Sequence, residues 1–585
     1  FVGKLFGPMA WTLTFALSSS LLVSITLIPL LTALWLHADE EGGPGRLARL
    51  VSPFHRFLDG VREGYLGLLQ GALRHPWWTL GAAVLLLVVS LRVMVFIGSE
   101  MLPKFDSGNF QVLMDTVPGM PLEATLERVD RVEALLLAEP EVVGVSTRVG
   151  YEAGGHYLGD RGAMDVNQAQ ITVNLTPRTG REESQWQIMD RVRAGIARVP
   201  GIHLAVLKEK GGTARSTTTA PVDVRISGPE PEVLDRLGSE VLERVKGVPG
   251  VRDAYKNWGL DTPQLAVTID RERAAELGFT GREVTRAVYD ALEGRAVTPF
   301  RQDRRRDLQV HLRYTGADRR DLQDLSDVLL RGPGGAAIPL REIAELEMEY
   351  GPRIVTREDL RQTLDVLGYQ YGRPLSETVA DVEKALADLT VPAGYTVAIT
   401  GEQRDFQQAR ERMLRALALG ILAVYLVLVA QFRSFKHPVT IMAAVPLQFI
   451  GVVAALLIAG KYLSMPALLG VILLTGTVIN NSIVLVDSIL QRRRAGMEME
   501  AAIADAVRVR YRPIMMTAFS DVAGMLPLAL ELAVGAERFS PIATVVIGGI
   551  LAATLLTLVV VPVLFRLLED WAPTREDRFA AELEA

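Results

Sequence analysis

Between Tyr462 and Val486 the chain runs for 25 residues without a charge. As a helix rising about 1.5 Å per residue, such a run spans the roughly 30 Å of hydrocarbon in a bilayer. No water reaches that depth, so a segment crossing it satisfies its backbone amides internally. Similar apolar runs are Leu5 to Leu36, Trp77 to Ile97 (interrupted near its end by Arg92), Ala416 to Phe432, Pro438 to Gly460, Pro513 to about Leu530 (which contains Asp521) and Phe539 to Phe565, which gives an expected seven spans. Apolar residues make up 49% of the 585, and their clustering into these runs indicates a membrane bundle. The chain starts at Phe1, close to an apolar run, with neither an initiator methionine nor a secretory leader. A piece, or a processed half, of a longer protein is therefore expected.

Loop charge sets the sides of the membrane. The stretches His37 to Pro76, Arg433 to His437 and Gln491 to Arg512 are rich in arginine, lysine and histidine. The turns at Lys461 and at Val534 to Arg538 are nearly bare. The positive-inside rule places the basic loops in the cytoplasm and the long polar segment Gly98 to Arg412 outside, which in a bacterium is the periplasm. Within the first cytoplasmic loop, apolar residues recur at helical spacing from Leu50 to Leu69 between arginines. That pattern predicts an amphipathic helix lying on the membrane surface.

Two internal repeats are visible. Phe6, Pro8 and Pro29 recur as Phe539, Pro541 and Pro562 at a constant offset of 533, as a duplicated transporter half would produce. In the outer segment, four helical patterns (Leu122 to Ala138, Trp186 to Val199, Glu232 to Val245, Glu377 to Leu389) each lead through a proline into a β-like stretch. Strand candidates precede them at Gln111 to Thr116, Ala169 to Leu175, Val222 to Ile226 and Thr363 to Gly368. Each pair of such units predicts one βαββαβ domain. The prolines of the first pair lie 60 residues apart and those of the second pair 143, so the second domain is split by an insert near Trp258 to Glu345. The insert carries its own helix, Arg271 to Leu277, and a hairpin ending in Gly332-Pro-Gly-Gly.

Four motifs in this order resemble the resistance–nodulation–division (RND) efflux transporters. They are Gly98-Ser-Glu-Met-Leu-Pro-Lys-Phe-Asp-Ser-Gly108, Ile269 to Gly278, Gly476 to Asp487, and Arg510-Tyr-Arg-Pro-Ile-Met-Met-Thr517. The resemblance runs from Phe1 to about Asp570 and covers the sixth to twelfth helices of that family. It implies an α-helical membrane bundle beneath an α+β periplasmic region of ferredoxin-like porter subdomains with a docking insert. The expected map places transmembrane helices at 1–37 and 77–98, joined by a cytoplasmic loop at 38–76. The porter subdomains are 99–219 and the split pair 220–257 and 346–402, with docking at 258–345. A five-helix bundle at 411–567 and a tail at 568–585 complete it. The family further implies a homotrimer in the inner membrane lipid bilayer, a periplasmic adaptor and an outer-membrane channel as partners, a small-molecule substrate, and a proton gradient as the only driving cofactor.

Polar groups inside the spans are the candidate site, because amides and charges in hydrocarbon are costly and pair or line a path. Asn480 and Asn481 interrupt the fifth span, and Arg510, Thr517 and Asp521 share a face of the sixth. The family relay uses an acidic pair on its fourth helix, a lysine on its tenth and an arginine and threonine on its eleventh. Arg510 and Thr517 match the last two, whereas Asn480 stands where the lysine is expected. The plainer readings are an interfacial role for Asp487, an inside-positive anchor for Arg510 and helix-packing amides for Asn480 and Asn481. Asp521 is expected to pair with Asn480, Asn481 or Arg510.

With no cysteine and only 7 histidines, thiolate and histidine metal motifs are excluded. The net charge of -6, with both signs interspersed, gives no nucleic-acid surface. No Ser/His/Asp or phosphate-loop constellation suggests an enzyme. The metal-exporting branch of the family uses three porter methionines; at two of those positions this chain has Gln168 and Thr213, and the third falls at or one place from Met114. Amphiphilic organic compounds are therefore the expected cargo. A heavy-metal exporter, a protein-translocation accessory or a lipid-handling relative are the alternatives. Phe110, Met114 and Trp186 are expected to be ordinary core.

Overall fold

The computed structural model describes residues 2–35, 60, 62–150, 158–159, 162–163, 165–210, 220–301, 307–316, 321–332 and 335–571. Its first helices are α1 (Val2–Trp35), α2 (residues 62–74) and α3 (Pro76–Met94). The outer segment carries α4 (Leu122–Leu137), α5 (Gln185–Ile196), α6 (Pro231–Lys246), α7 (Arg271–Glu276), α8 (Gly281–Leu292), α9 (Leu322–Ser326) and α10 (Leu375–Leu386). The bundle follows as α11 (Gly401–Phe432), α12 (Lys436–Met442), α13 (Ala444–Ile458), α14 (Met465–Arg494), α15 (Met499–Ala529) and α16 (Ser540–Trp571).

Among the described residues, six helical stretches are long and apolar enough to cross a membrane: Ala10–Leu34, Pro76–Met94, Gly401–Phe432, Lys436–Ile458, Met465–Arg494 and Ser540–Trp571. The sequence reading expects seven. The difference is α15, where Arg510, Arg512, Asp521 and two internal prolines dilute the apolar run. It still packs along α14 and α16. The span expected at 438–460 is broken at Ala443 into α12 and α13. The prolines of the repeated signature fall on two helices of nearly equal length, 34 residues for α1 and 32 for α16, with Phe539 just before α16. The beginning of the expected surface helix lies outside the described residues. Its continuation, α2, buries Leu66, Leu69, Ala72 and Leu73 in the same cluster as Tyr511, Leu558 and Phe565, and Tyr65 stacks on Tyr511 at 5.4 Å.

In the outer segment, two four-stranded units follow the predicted repeat. The first sheet runs Val142–Val149, Gln168–Leu175, Asn109–Thr116, Ile202–Glu209, antiparallel throughout, with α4 and α5 as its crossovers. This is the ferredoxin-like βαββαβ order. Val129, Val132 and Leu136 on α4 and Ile188, Val192 and Ile196 on α5 recur at helical spacing and are fully buried or nearly so. Each such side chain contributes about 2 kcal/mol by leaving water. A capping box of Ser184 and Gln187 starts α5. The second sheet orders Thr396–Ile399, Val222–Gly228, Arg361–Gln370 and Val251–Lys256, with Thr356–Glu358 added to the edge of Arg361–Gln370. Between Lys256 and Thr356 the chain leaves this sheet for a separate ladder, Thr262–Ile269 with Ala344–Gly351, and its own apolar core. Leu329–Arg331 pairs with Ala337–Pro339 around the glycine-rich turn.

The central element of the bundle is α16, which contacts α3, α12, α13, α14 and α15. Its closest approach is to α13. A Cβ on Gly451 would stand 2.0 Å from the Gly548 carbonyl oxygen, and one on Gly548 would stand 2.3 Å from the Ala455 Cβ. Water-free helices gain their association from such close packing of small residues. Gly451→Leu is expected to drive α13 and α16 apart and lower the thermal midpoint in detergent by circular dichroism. Gly420→Ala, whose Cβ meets open space, is expected to leave it unchanged.

Candidate functional site

The predicted intramembrane residues form a stripe. On α14, Gly476, Thr477 and Asn480 are exposed, and Asn481 and Asp487 are half-buried. On α15, Thr517 is exposed and Arg510 and Asp521 are half-buried. Thr517 donates its hydroxyl to the Pro513 carbonyl at 3.0 Å, and Gln491 donates to Asp487 at 2.6 Å. Among the described residues no hydrogen bond or ion pair joins any two of Asn480, Asn481, Arg510, Thr517 and Asp521, so the expected pairing of Asp521 is absent in this chain. The stripe is an open polar face. Other polar contacts, missed by the sequence reading, tie the bundle together. Gln448 donates to Thr475 at 2.9 Å in its buried middle. Lys461 holds Glu531 at 3.1 Å and Thr544 at 3.2 Å at the outer end. Lys436 holds Glu569 at 2.5 Å at the inner end.

The second site lies where the outer units meet the bundle, and the Gly98 to Gly108 motif builds it. Ser99 and Glu100 pair in parallel with Leu463 and Ser464, which lead into α14. The Ser99 amide donates to the Ser376 hydroxyl of α10 at 2.8 Å. Met101 is buried in the bundle core. Lys104 donates to the Gln370 carbonyl at 2.7 Å and pairs with Glu209 at 3.4 Å, touching both sheets. Asp106 accepts the Gln185 amide at 2.9 Å at the start of α5 and forms a buried ion pair with Arg181. A Cβ on Gly98 would stand 2.3 Å from Pro374, so only glycine passes there. A further ion pair, Arg178 with Glu537, and Arg538 stacked 4.7 Å over the Phe105 ring join the first unit to the α15–α16 turn.

Two cavities flank this motif. One of about 730 Å³ opens where the outer segment meets the bundle, beside Phe105, Arg178, Lys461, Tyr462 and Glu537. The other, about 50 Å³, lies between the sheets beside Met189, Arg252, Tyr369 and Glu402. Lys104, Trp186, Gln370 and Tyr371 line both. Phe110 and Met114 are core, as expected. Trp186 is not only core: it is half-buried, lines both cavities and donates its indole N–H to Glu209 at 2.5 Å. Residue identity alone could not have found this, because the partners come from four separate segments.

Membrane helices carrying paired ferredoxin-like units over a polar intramembrane stripe have the build of a membrane transporter. Residues 1–569 match the sequence profile of the AcrB/AcrD/AcrF family, and the chain belongs to that family of RND efflux transporters, which are not enzymes. Two solved structures of a heavy metal efflux pump are similar. One matches with a TM-score of 0.81 and 26% identity over 97% of this chain and 55% of that one. The other matches with a TM-score of 0.79 and 27% identity over 97% and 56%. The chain thus spans about half the length of these pumps.

The buried Asp106–Arg181 pair gives a direct stability test. Asp106→Ala leaves a guanidinium buried and uncompensated, and is expected to cost about 3 to 5 kcal/mol in chemical denaturation. Adding Arg181→Met is expected to recover most of that loss.

Proposed function

We propose that this chain forms the coupling and porter region of a proton-driven exporter of amphiphilic organic compounds in the bacterial inner membrane. The observation that carries the reading is the pair of cavities meeting at Lys104, Trp186, Gln370 and Tyr371. They offer a route from the outer membrane surface into the cleft between the two sheets. Aromatic faces beside paired charges suit molecules with an apolar body and a polar end. Among the described residues lining the inner cavity, Met189 alone carries a thioether, and soft metal ions favour several. Heavy-metal export is the second reading, favoured by the similar solved pumps.

In this reading α15 is the seventh span, and its open stripe with α14 receives a further acidic helix of the transporter. Asn480, Asn481, Arg510, Thr517 and Asp521 then line the proton path, with Asn480 in place of the family's lysine. The units at 99–219 and at 220–257 with 346–402 act as porter subdomains and face the periplasm. The 258–345 insert serves docking. Its hairpin, Arg295–Phe300 with Leu308–Leu312, exposes Val297, Phe300, Leu308 and Leu312. That surface supports assembly as a homotrimer with an adaptor and an outer-membrane channel.

Asp521→Asn and Arg510→Ala in the full-length protein are expected to abolish export in a cellular dye-efflux assay while membrane level and thermal midpoint stay unchanged. Normal efflux in both variants removes these residues from the mechanism. Loss of the gene is expected to sensitise cells to amphiphilic cations and not to copper or silver; the reverse pattern selects the metal reading.

A further inference from the structure

Between the two sheet units runs a thin seam. Its apolar part packs Leu113 and Val206 of the first unit against Ala220, Tyr255 and Leu367 of the second. Five buried residues make this cluster, against fifteen and fourteen in the cores of the units themselves. A junction so small is of the kind found between domains that move. Four cations line the cavity within it, Lys104, Arg193, Lys208 and Arg252, beside Glu209 and Glu402. Lys104 is held by Glu209 and the Gln370 carbonyl, and Arg252 lies 5.6 Å from the Tyr371 ring centroid. Arg193, on α5, has a carboxylate on each side of the seam. Its Nε and Nη2 donate to the two oxygens of Asp253 at 2.9 and 3.0 Å, and its Nη1 pairs with Asp190 one turn back on α5. The Leu207 amide, on an edge strand of the first sheet, donates to Asp253 Oδ2 at 3.1 Å. The Tyr371 hydroxyl of the second unit is hydrogen-bonded to Asp190.

We propose that Arg193 and Asp253 form a latch that holds the two sheet units closed, and that Arg193 keeps Asp190 as its partner when the seam opens. Asp253 has a φ of 49°, in the left-handed region that favours glycine. Tyr255 pairs with Leu367 and Arg252 with Tyr369, so Asp253 and Ala254 together oppose Gly368 in a β-bulge. A bulge re-aims a side chain, and here it presents the carboxylate to three donors of the first unit. An arginine fork on a carboxylate is demanding in geometry, so a small rotation of one unit breaks both of its bonds together. Opening costs less than breaking a buried pair ordinarily does, because Asp190 stays with the arginine and water entering the seam reaches Asp253. The use of the latch in export rests on the reading of these units as porter subdomains. The latch itself is measurable without cargo.

The test reads the separation of the units by double electron–electron resonance in the purified full-length protein, without substrate or gradient. Nitroxide labels are carried on Glu127→Cys of α4 and Glu243→Cys of α6, both exposed. With the latch intact, one separation is expected. Asp253→Gly suits the left-handed backbone and removes only the carboxylate. It leaves Arg193 and Lys208 facing Arg252 with one anion fewer, and is expected to add a second population of separations. Arg193→Met is expected to add the same population, and Arg193→Lys, which keeps the charge without the fork, a smaller share of it. Asp190→Asn still bonds the Tyr371 hydroxyl and removes only the partner used in the open arrangement, so it is expected to keep one separation. A purely structural contact would lower the thermal midpoint by circular dichroism and leave one separation in every variant. One unchanged separation in Asp253→Gly, Arg193→Met and Arg193→Lys overturns the proposal, and so does a second population in Asp190→Asn alone. If the latch variants open while an efflux assay finds no export, the latch stands and the transport reading fails. If they stay closed while export proceeds, the latch fails and the transport reading survives.

Discussion

One eleven-residue segment, Gly98 to Gly108, ties both outer units to the helical bundle. It leaves α3, adds a short strand beside the start of α14, places Met101 in the bundle core and then enters the first sheet. Its side chains distribute their contacts among separate elements. Ser99 reaches α10, Lys104 reaches the second sheet and Asp106 reaches the start of α5. Polar groups at a membrane boundary have both water and protein available, but those buried here have only protein, and each must find its partner there. The segment therefore fixes where both outer units stand over the helices, and a shift of α14 is felt by both.

The bundle beneath has two unlike surfaces. Around α16 the packing is dry and close, set by Gly451 and Gly548, and leaves little room for sliding. Across α14 and α15 the surface is polar and open, with amides, a hydroxyl and a carboxylate. A rigid helix core beside an unsatisfied polar face suits a machine in which charge on that face changes the position of whole helices. The ion pair between Arg178 and Glu537 and the contact between Arg538 and Phe105 link the α15–α16 turn to the first unit.

Much of this was legible in the chain itself. Apolar run length located the spans, because hydrocarbon leaves a segment no alternative to a helix. Repeating proline-terminated helices located both ferredoxin-like units, and unequal proline spacing located the insert. α15 was less legible, since Arg510, Arg512 and Asp521 make it too polar for a span by composition although it packs along α14 and α16. The identities of the stripe residues were readable, but their lack of mutual contacts was not. Least visible was the meeting of Lys104 with Glu209 and the Gln370 carbonyl. Each is an ordinary residue in sequence, and only the fold brings segments hundreds of residues apart around one ammonium group.

The central claim is that proton movement at the stripe repositions the two outer units through the Gly98 to Gly108 segment. The chain has no cysteine, so nitroxide labels can be placed at will. Labels at Glu127 on the exposed side of α4 and Glu243 on the exposed side of α6 report the separation of the units. Measured by double electron–electron resonance in proteoliposomes, that distance is predicted to gain a second population when an inward proton gradient is imposed. A single unchanged distance in a preparation that is actively exporting would contradict the account.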